Sequence, residues 1–108
     1  MKFYKNLYFG EKAIKSKYKI YRKLKTNSFD LDTYLITLSD NPNNLLDIIS
    51  SNMLKQPYFK QKEVQDNIFV IGIAKGKEEA YEVVRNLIDK VYKETGCFNI
   101  REYLDIKS

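Results

Sequence analysis

A chain of 108 residues, 44% apolar and 31% charged, has the composition of one globular domain with a single core rather than of a disordered segment. Its net charge of +5 is unevenly placed: residues 1–27 carry nine basic residues against one acid, Glu11, whereas residues 28–108 carry ten against thirteen. No apolar run reaches the ~18–20 residues that span a bilayer, the opening Met1-Lys2-Phe3-Tyr4-Lys5-Asn6 lacks the pattern of a secretory leader, and one cysteine with no histidine excludes an intrachain disulfide, Ser-His-Asp and Cys-His catalysis and histidine–metal sites.

Phe3, Tyr4, Leu7, Tyr8 and Phe9 form an apolar opening, either a short strand or an anchoring arm. From Glu11 to Lys25 the spacing is helical: Ile14, Tyr18, Tyr21 and Leu24 recur at three- and four-residue steps, widened by Ala13 and Ile20. That assignment sets Lys12, Lys15, Lys19, Arg22 and Lys23 on the opposite face. A strand over Lys17–Leu24 competes, but Ile20-Tyr21 followed by Arg22-Lys23 breaks alternation. Thr26-Asn27-Ser28 is the expected stop.

Thr33–Ser39 is β-rich, Asp40-Asn41-Pro42-Asn43-Asn44 is a turn, and Leu45–Ser50 alternates, which together predict a β-hairpin over 33–50. One helix over Asn44–Leu54 is the alternative. Ser51–Gln56 reads as a helical turn before Pro57, followed by a loop, Lys55–Lys62, in which Tyr58 and Phe59 alternate with lysines. Ile68–Ala74 is apolar on both sides, as a central strand covered on two faces must be. Lys77–Glu94 is the strongest helix, with Ala80, Val83, Val84, Leu87, Ile88 and Val91 on one stripe. Gly96 is the expected left-handed cap, with Phe98 packing behind it, and Asn99…Glu102 resembles half a capping box opening a short C-terminal helix. The fold class that follows is α+β, or a small α/β variant. Its three- or four-stranded sheet contains the 33–50 hairpin and central strand 68–74, packed by helices 11–25 and 77–94.

The candidate motifs divide unevenly. Gly72-Ile73-Ala74-Lys75-Gly76-Lys77 joins a strand to a helix, but a P-loop needs four residues between its glycines and Ser or Thr after the lysine. Here three intervene, Glu78 follows, and Glu78 and Glu79 would repel phosphate; Gly72 reads as a packing residue and Gly76 as a turn. The Asp40 turn fails the EF-hand pattern, which sets Leu45 where glycine belongs and Ser51 where glutamate belongs. Cys97, without a histidine partner and beside Phe98, is expected to be a buried or half-buried structural thiol. The basic face of Lys12, Lys15, Lys19, Arg22 and Lys23, with Tyr58 and Phe59 in the later loop, is the one surface with a functional pattern, for nucleic acid or an acidic partner. Sixteen lysines against three arginines point to the coding bias of an AT-rich genome, which dilutes the meaning of each lysine. The strand-glycine-helix-Thr-Gly run of 68–96 resembles that of many small bacterial proteins without an assigned role. The expectation is a cytoplasmic, non-catalytic interaction or accessory protein without cofactor, its partner another protein or a second copy, with nucleic-acid binding through the basic helix as the alternative.

Overall fold

The computed structural model describes residues 1–24, 26, 28–39 and 45–104. Strand β1 (Lys2–Phe9) leads into helices α1 (Glu11–Ile14) and α2 (Lys17–Leu24), then β2 (Thr33–Leu38) and β3 (Leu46–Ser50). Three short helices follow, α3 (Ser51–Leu54), α4 (Pro57–Lys60) and α5 (Lys62–Asn67), before β4 (Phe69–Lys75), the long α6 (Lys77–Thr95) and α7 (Ile100–Tyr103). The strands form one mixed sheet in the order β1-β4-β2-β3, with β1 parallel to β4 and the other pairs antiparallel.

The apolar run of β4 is buried as its sequence requires: Val70, Ile71 and Ile73 have no exposed surface. Its side chains serve two cores. Ile71 meets Leu87 and Val91 of α6 and Ile100 of α7 on one face. Val70 and Ile73 meet Ala13, Ile20 and Leu35 on the other, where Leu54, Phe59 and Val64 complete the cover. The helices after the parallel strands β1 and β4 thus lie on opposite faces. Beside β2 the register slips, with Ile36 opposite Gly72 and Thr37 opposite Val70, so Ile71 is the extra residue of a bulge. Gly72 is held close there: an added Cβ would sit 3.1 Å from the Tyr8 carbonyl oxygen and 3.3 Å from Val83.

The 33–50 hairpin forms, with Leu35 opposite Ile49 and Thr37 opposite Asp47, and no helix covers Leu46–Ser50. Its turn, Asp40–Asn44, lies outside the described residues, as do Lys25 and Asn27 of the expected helix end. Helix α6 ends at Gly96, whose φ of 75° is left-handed and whose N–H donates to the Tyr92 carbonyl at 2.7 Å. Phe98 stacks on Tyr92 with ring centroids 4.9 Å apart. Half of a capping box forms at α7: the Asn99 side chain accepts from the Glu102 N–H, and its side-chain amide donates to the Glu102 carboxylate.

Three expectations are corrected. The helix over 11–25 is two helices separated at Lys15-Ser16, and the buried pair is Ala13 and Ile20. Ile14 and Tyr18 are 52% and 82% exposed, and Tyr21 is also exposed. Residues 13 and 20, seven apart, share a face as well as 14, 18 and 21 do. The pair with a small residue beside β4 wins the interior, while tyrosines carry a hydroxyl that tolerates solvent. The segment read as a loop over 55–62 contains α4, opened by Pro57 at its first turn, where the missing N–H costs nothing. Cys97 is exposed, because the left-handed Gly96 swings the chain off the helix end and Phe98 takes the contact with Tyr92.

Candidate functional site

The glycine-flanked strand end proves to be occupied by the protein itself. Gly10 precedes α1 and Gly76 precedes α6, at the carboxyl ends of the adjacent parallel strands β1 and β4. Open sheets with helices leaving on opposite faces commonly bind anions there. The buried carboxylate of Glu79 fills the place: it accepts the N–H of Lys12 and, at 2.5 Å, that of Lys75. An added Cβ on Gly10 would collide with that carboxyl group. The Gly72–Lys77 segment is therefore a structural junction, its anion supplied from α6. From the sequence, Glu79 reads only as an acid that would repel phosphate; glutamate at the third helical position after Gly76 was the available signal for its bonding.

The remaining surface of interest is built by α1 and α2. Burial of Ala13 and Ile20 turns Lys12, Lys15, Lys19 and Arg22 to solvent, and the same rotation brings Ile14, Tyr18 and Tyr21 out beside them. Basic and apolar residues thus share the outer side instead of occupying opposite faces. Tyr21 is fixed in place, edge-on to Phe9 at 5.8 Å, with the Lys17 ammonium 5.9 Å from both rings. Tyr18, between Lys15, Lys19 and Arg22 on the helix surface, is the most exposed of the large apolar side chains described.

The basic residues are not equivalent. Lys23 is drawn inward and hydrogen-bonds the Asp30 carboxylate, which Lys19 approaches at 3.5 Å. The Lys23 hydrogen bond and both lysine charges hold the Asp30 carboxyl below its ordinary range. Lys12, Lys15 and Arg22 take no part in the ion pairs formed among the described residues. Tyr58 and Phe59 stand apart on α4, which packs on α3 and α5: Phe59 joins the second core and Tyr58 is exposed, their rings edge-to-face at 5.1 Å.

Other chemistry is sparse. Among the described residues no group of three or more Cys, Asp and Glu side chains could hold a metal ion, and no helix is long and apolar enough to cross a membrane. The Thr95 hydroxyl lies 3.3 Å from the Cys97 sulfur and lowers that thiol's pKa, helped by a backbone hydrogen bond at Asn99. Compared with protein-family models, curated proteins and solved structures, the chain matches none.

Proposed function

We propose that the chain is a non-catalytic binding protein that docks a protein partner through α1–α2, the partner presenting an apolar patch with acidic groups at its edge. The observation that carries this reading is the run of Ile14, Tyr18 and Tyr21 in solvent, bordered by Lys12, Lys15 and Arg22. Aromatic and arginine side chains at the centre with polar groups around them is the anatomy of a docking patch. Exposure of this size amounts to about 300 Å² of side-chain surface, or roughly 7–8 kcal/mol of gross burial at ~25 cal/mol per Å². Association itself costs about 4–15 kcal/mol. Apolar contact alone therefore gives weak binding, and the cations must add to it, which makes the complex salt-sensitive.

Two features favour a protein over nucleic acid. Ile14 offers aliphatic surface that burial against a protein rewards and base stacking does not. Asp30 already engages Lys19 and Lys23, and a carboxylate against its lysines weakens a phosphate-reading face. A symmetric contact between two copies through this face is also disfavoured, since it would set the same cations against one another.

The test compares wild type with Ile14→Ser/Tyr18→Ser/Tyr21→Ser and with Tyr92→Ser on α6, by quantitative affinity capture followed by titration of the captured protein. A partner lost with the triple variant, retained by Tyr92→Ser and weakened by salt supports the reading. Equal capture by all three forms overturns it. Binding of single-stranded DNA or RNA by wild type, with a salt slope flattened by Lys15→Glu/Arg22→Glu, would shift the assignment to nucleic acid.

A further inference from the structure

We propose that a second site, a cleft of about 530 Å³ between the β2–β3 hairpin and α4–α5, binds an organic cation, a primary ammonium or guanidinium group on an apolar stem. The volume falls within the usual range for small-molecule pockets. Thr37 and Asp47 are register partners on β2 and β3, so their side chains leave the same face of the sheet, the one that carries Leu35 and Ile49. Asp47 is half-buried at that wall. Opposite it, α5 contributes Glu63 at the mouth, and α4 contributes the paired rings of Tyr58 and Phe59. Ile49, Val64 and Ile68 supply the apolar lining.

The charge pattern selects the ligand. Among the described residues two carboxylates line the cleft and no lysine or arginine does, in a chain whose net charge is +5. Among the described residues neither Asp47 nor Glu63 has a basic partner. A bound cation would meet both carboxylates and the ring faces of α4, and its stem would lie on the aliphatic side chains. A neutral molecule of the same shape would displace water from Asp47 and return at most one uncharged hydrogen bond, without the charge pairing. The site is independent of the α1–α2 surface.

Isotope-edited NMR titration of the intact protein tests this with three probes: phenethylamine, its neutral counterpart phenethyl alcohol, and Nα-acetyl-lysine amide. The expected result is saturable shifts of the amides of Asp47, Ile49, Glu63 and Asn67, with phenethylamine binding about tenfold tighter than the alcohol. Asp47→Asn and Glu63→Gln should each weaken the amine about threefold or more without changing its alcohol affinity. Binding of the free amine alone identifies a small molecule as the natural source of the cation, and binding of the lysine amide a peptide side chain. No saturable shift with either cation up to about 10 mM, or equal affinity for amine and alcohol, overturns the proposal. Should Asp47→Asn not fold, Glu63→Gln on the exposed side of α5 and the wild-type amine–alcohol comparison still decide.

Discussion

Glu79 is the residue whose removal best tests how this fold is held together. Its carboxylate joins the start of α1 to the end of β4 by accepting the N–H groups of Lys12 and Lys75, and it lies at two helix N-termini, where negative charge is favoured. Hydrogen bonds to a charged group contribute about 1.5–3 kcal/mol each, and a buried donor left without a partner costs about 1–3 kcal/mol. Glu79→Ala should therefore destabilise by about 2–4 kcal/mol, in a chain whose total stability is about 5–15 kcal/mol. In urea unfolding followed by circular dichroism, the midpoint should fall by roughly 1–2 M. Glu78→Ala, one residue away and exposed, should stay within about 0.5 kcal/mol of wild type. Gly10 adds an independent check. Its φ of −68° suits any residue, so only the space taken by Glu79 demands glycine. Gly10→Ala should displace the carboxylate and reproduce most of the loss, while Gly10→Ala/Glu79→Ala should be little worse than Glu79→Ala alone. Additive effects in that cycle, or a Glu79→Ala midpoint no different from that of Glu78→Ala, would refute the reasoning.

Gly96 should be replaceable by asparagine but not by valine: with φ at 75° and open space around it, Gly96→Val costs backbone strain alone, about 1–2 kcal/mol, read as a lower melting temperature. The Tyr103 hydroxyl donates to Glu94, and that bond, with burial and the Glu94 charge, raises its pKa to about 12, so spectrophotometric titration should show a late step that moves back toward 10 in Glu94→Gln. The neutral phenol is the form the fold favours, so this contribution to stability is whole below pH 10 and is lost as pH rises through about 12. Ile20→Ala should cost about 2–4 kcal/mol in chemical unfolding whereas Tyr18→Ala should stay within about 0.5 kcal/mol; the reverse order would place the wrong side of α2 against the sheet.

The parts of the fold that were legible are those where one local signal has a single physical solution. An apolar run as short as Ile68–Ala74, bounded by turn residues, can be buried on both faces only inside a sheet. A six-residue apolar stripe followed by Thr-Gly has to be a helix ending in a left-handed cap. The short helices were not legible for the same reason in reverse. Four residues such as Pro57–Lys60 hold barely one turn, too little for periodicity to register, and their stability comes from docking Phe59 and Val64 against the second core. That core is assembled from β1, β2, β4, α1, α2 and α3–α5, elements distant in sequence, and no local pattern announces it.

The candidate surface shows the same limit more sharply. Both the sequence and the structure place Lys12, Lys15, Lys19 and Arg22 outside, yet the meaning of the surface turns on where the apolar residues go, and the spacing put Ile14, Tyr18 and Tyr21 on one broad face together with Ala13 and Ile20. A stripe of Ile14, Tyr18 and Tyr21 and a pair of Ala13 and Ile20 satisfy helical spacing equally well. What separates them is tertiary packing: Ala13 and Ile20 are buried in the core that includes Val70 and Ile73 of β4, while Ile14, Tyr18 and Tyr21 stay exposed. Once the small residue takes the interior, three larger apolar side chains are left exposed beside Lys12, Lys15 and Arg22. A solvated basic helix becomes a surface with something to bury, and that change, rather than the lysine count, is what supports a binding role.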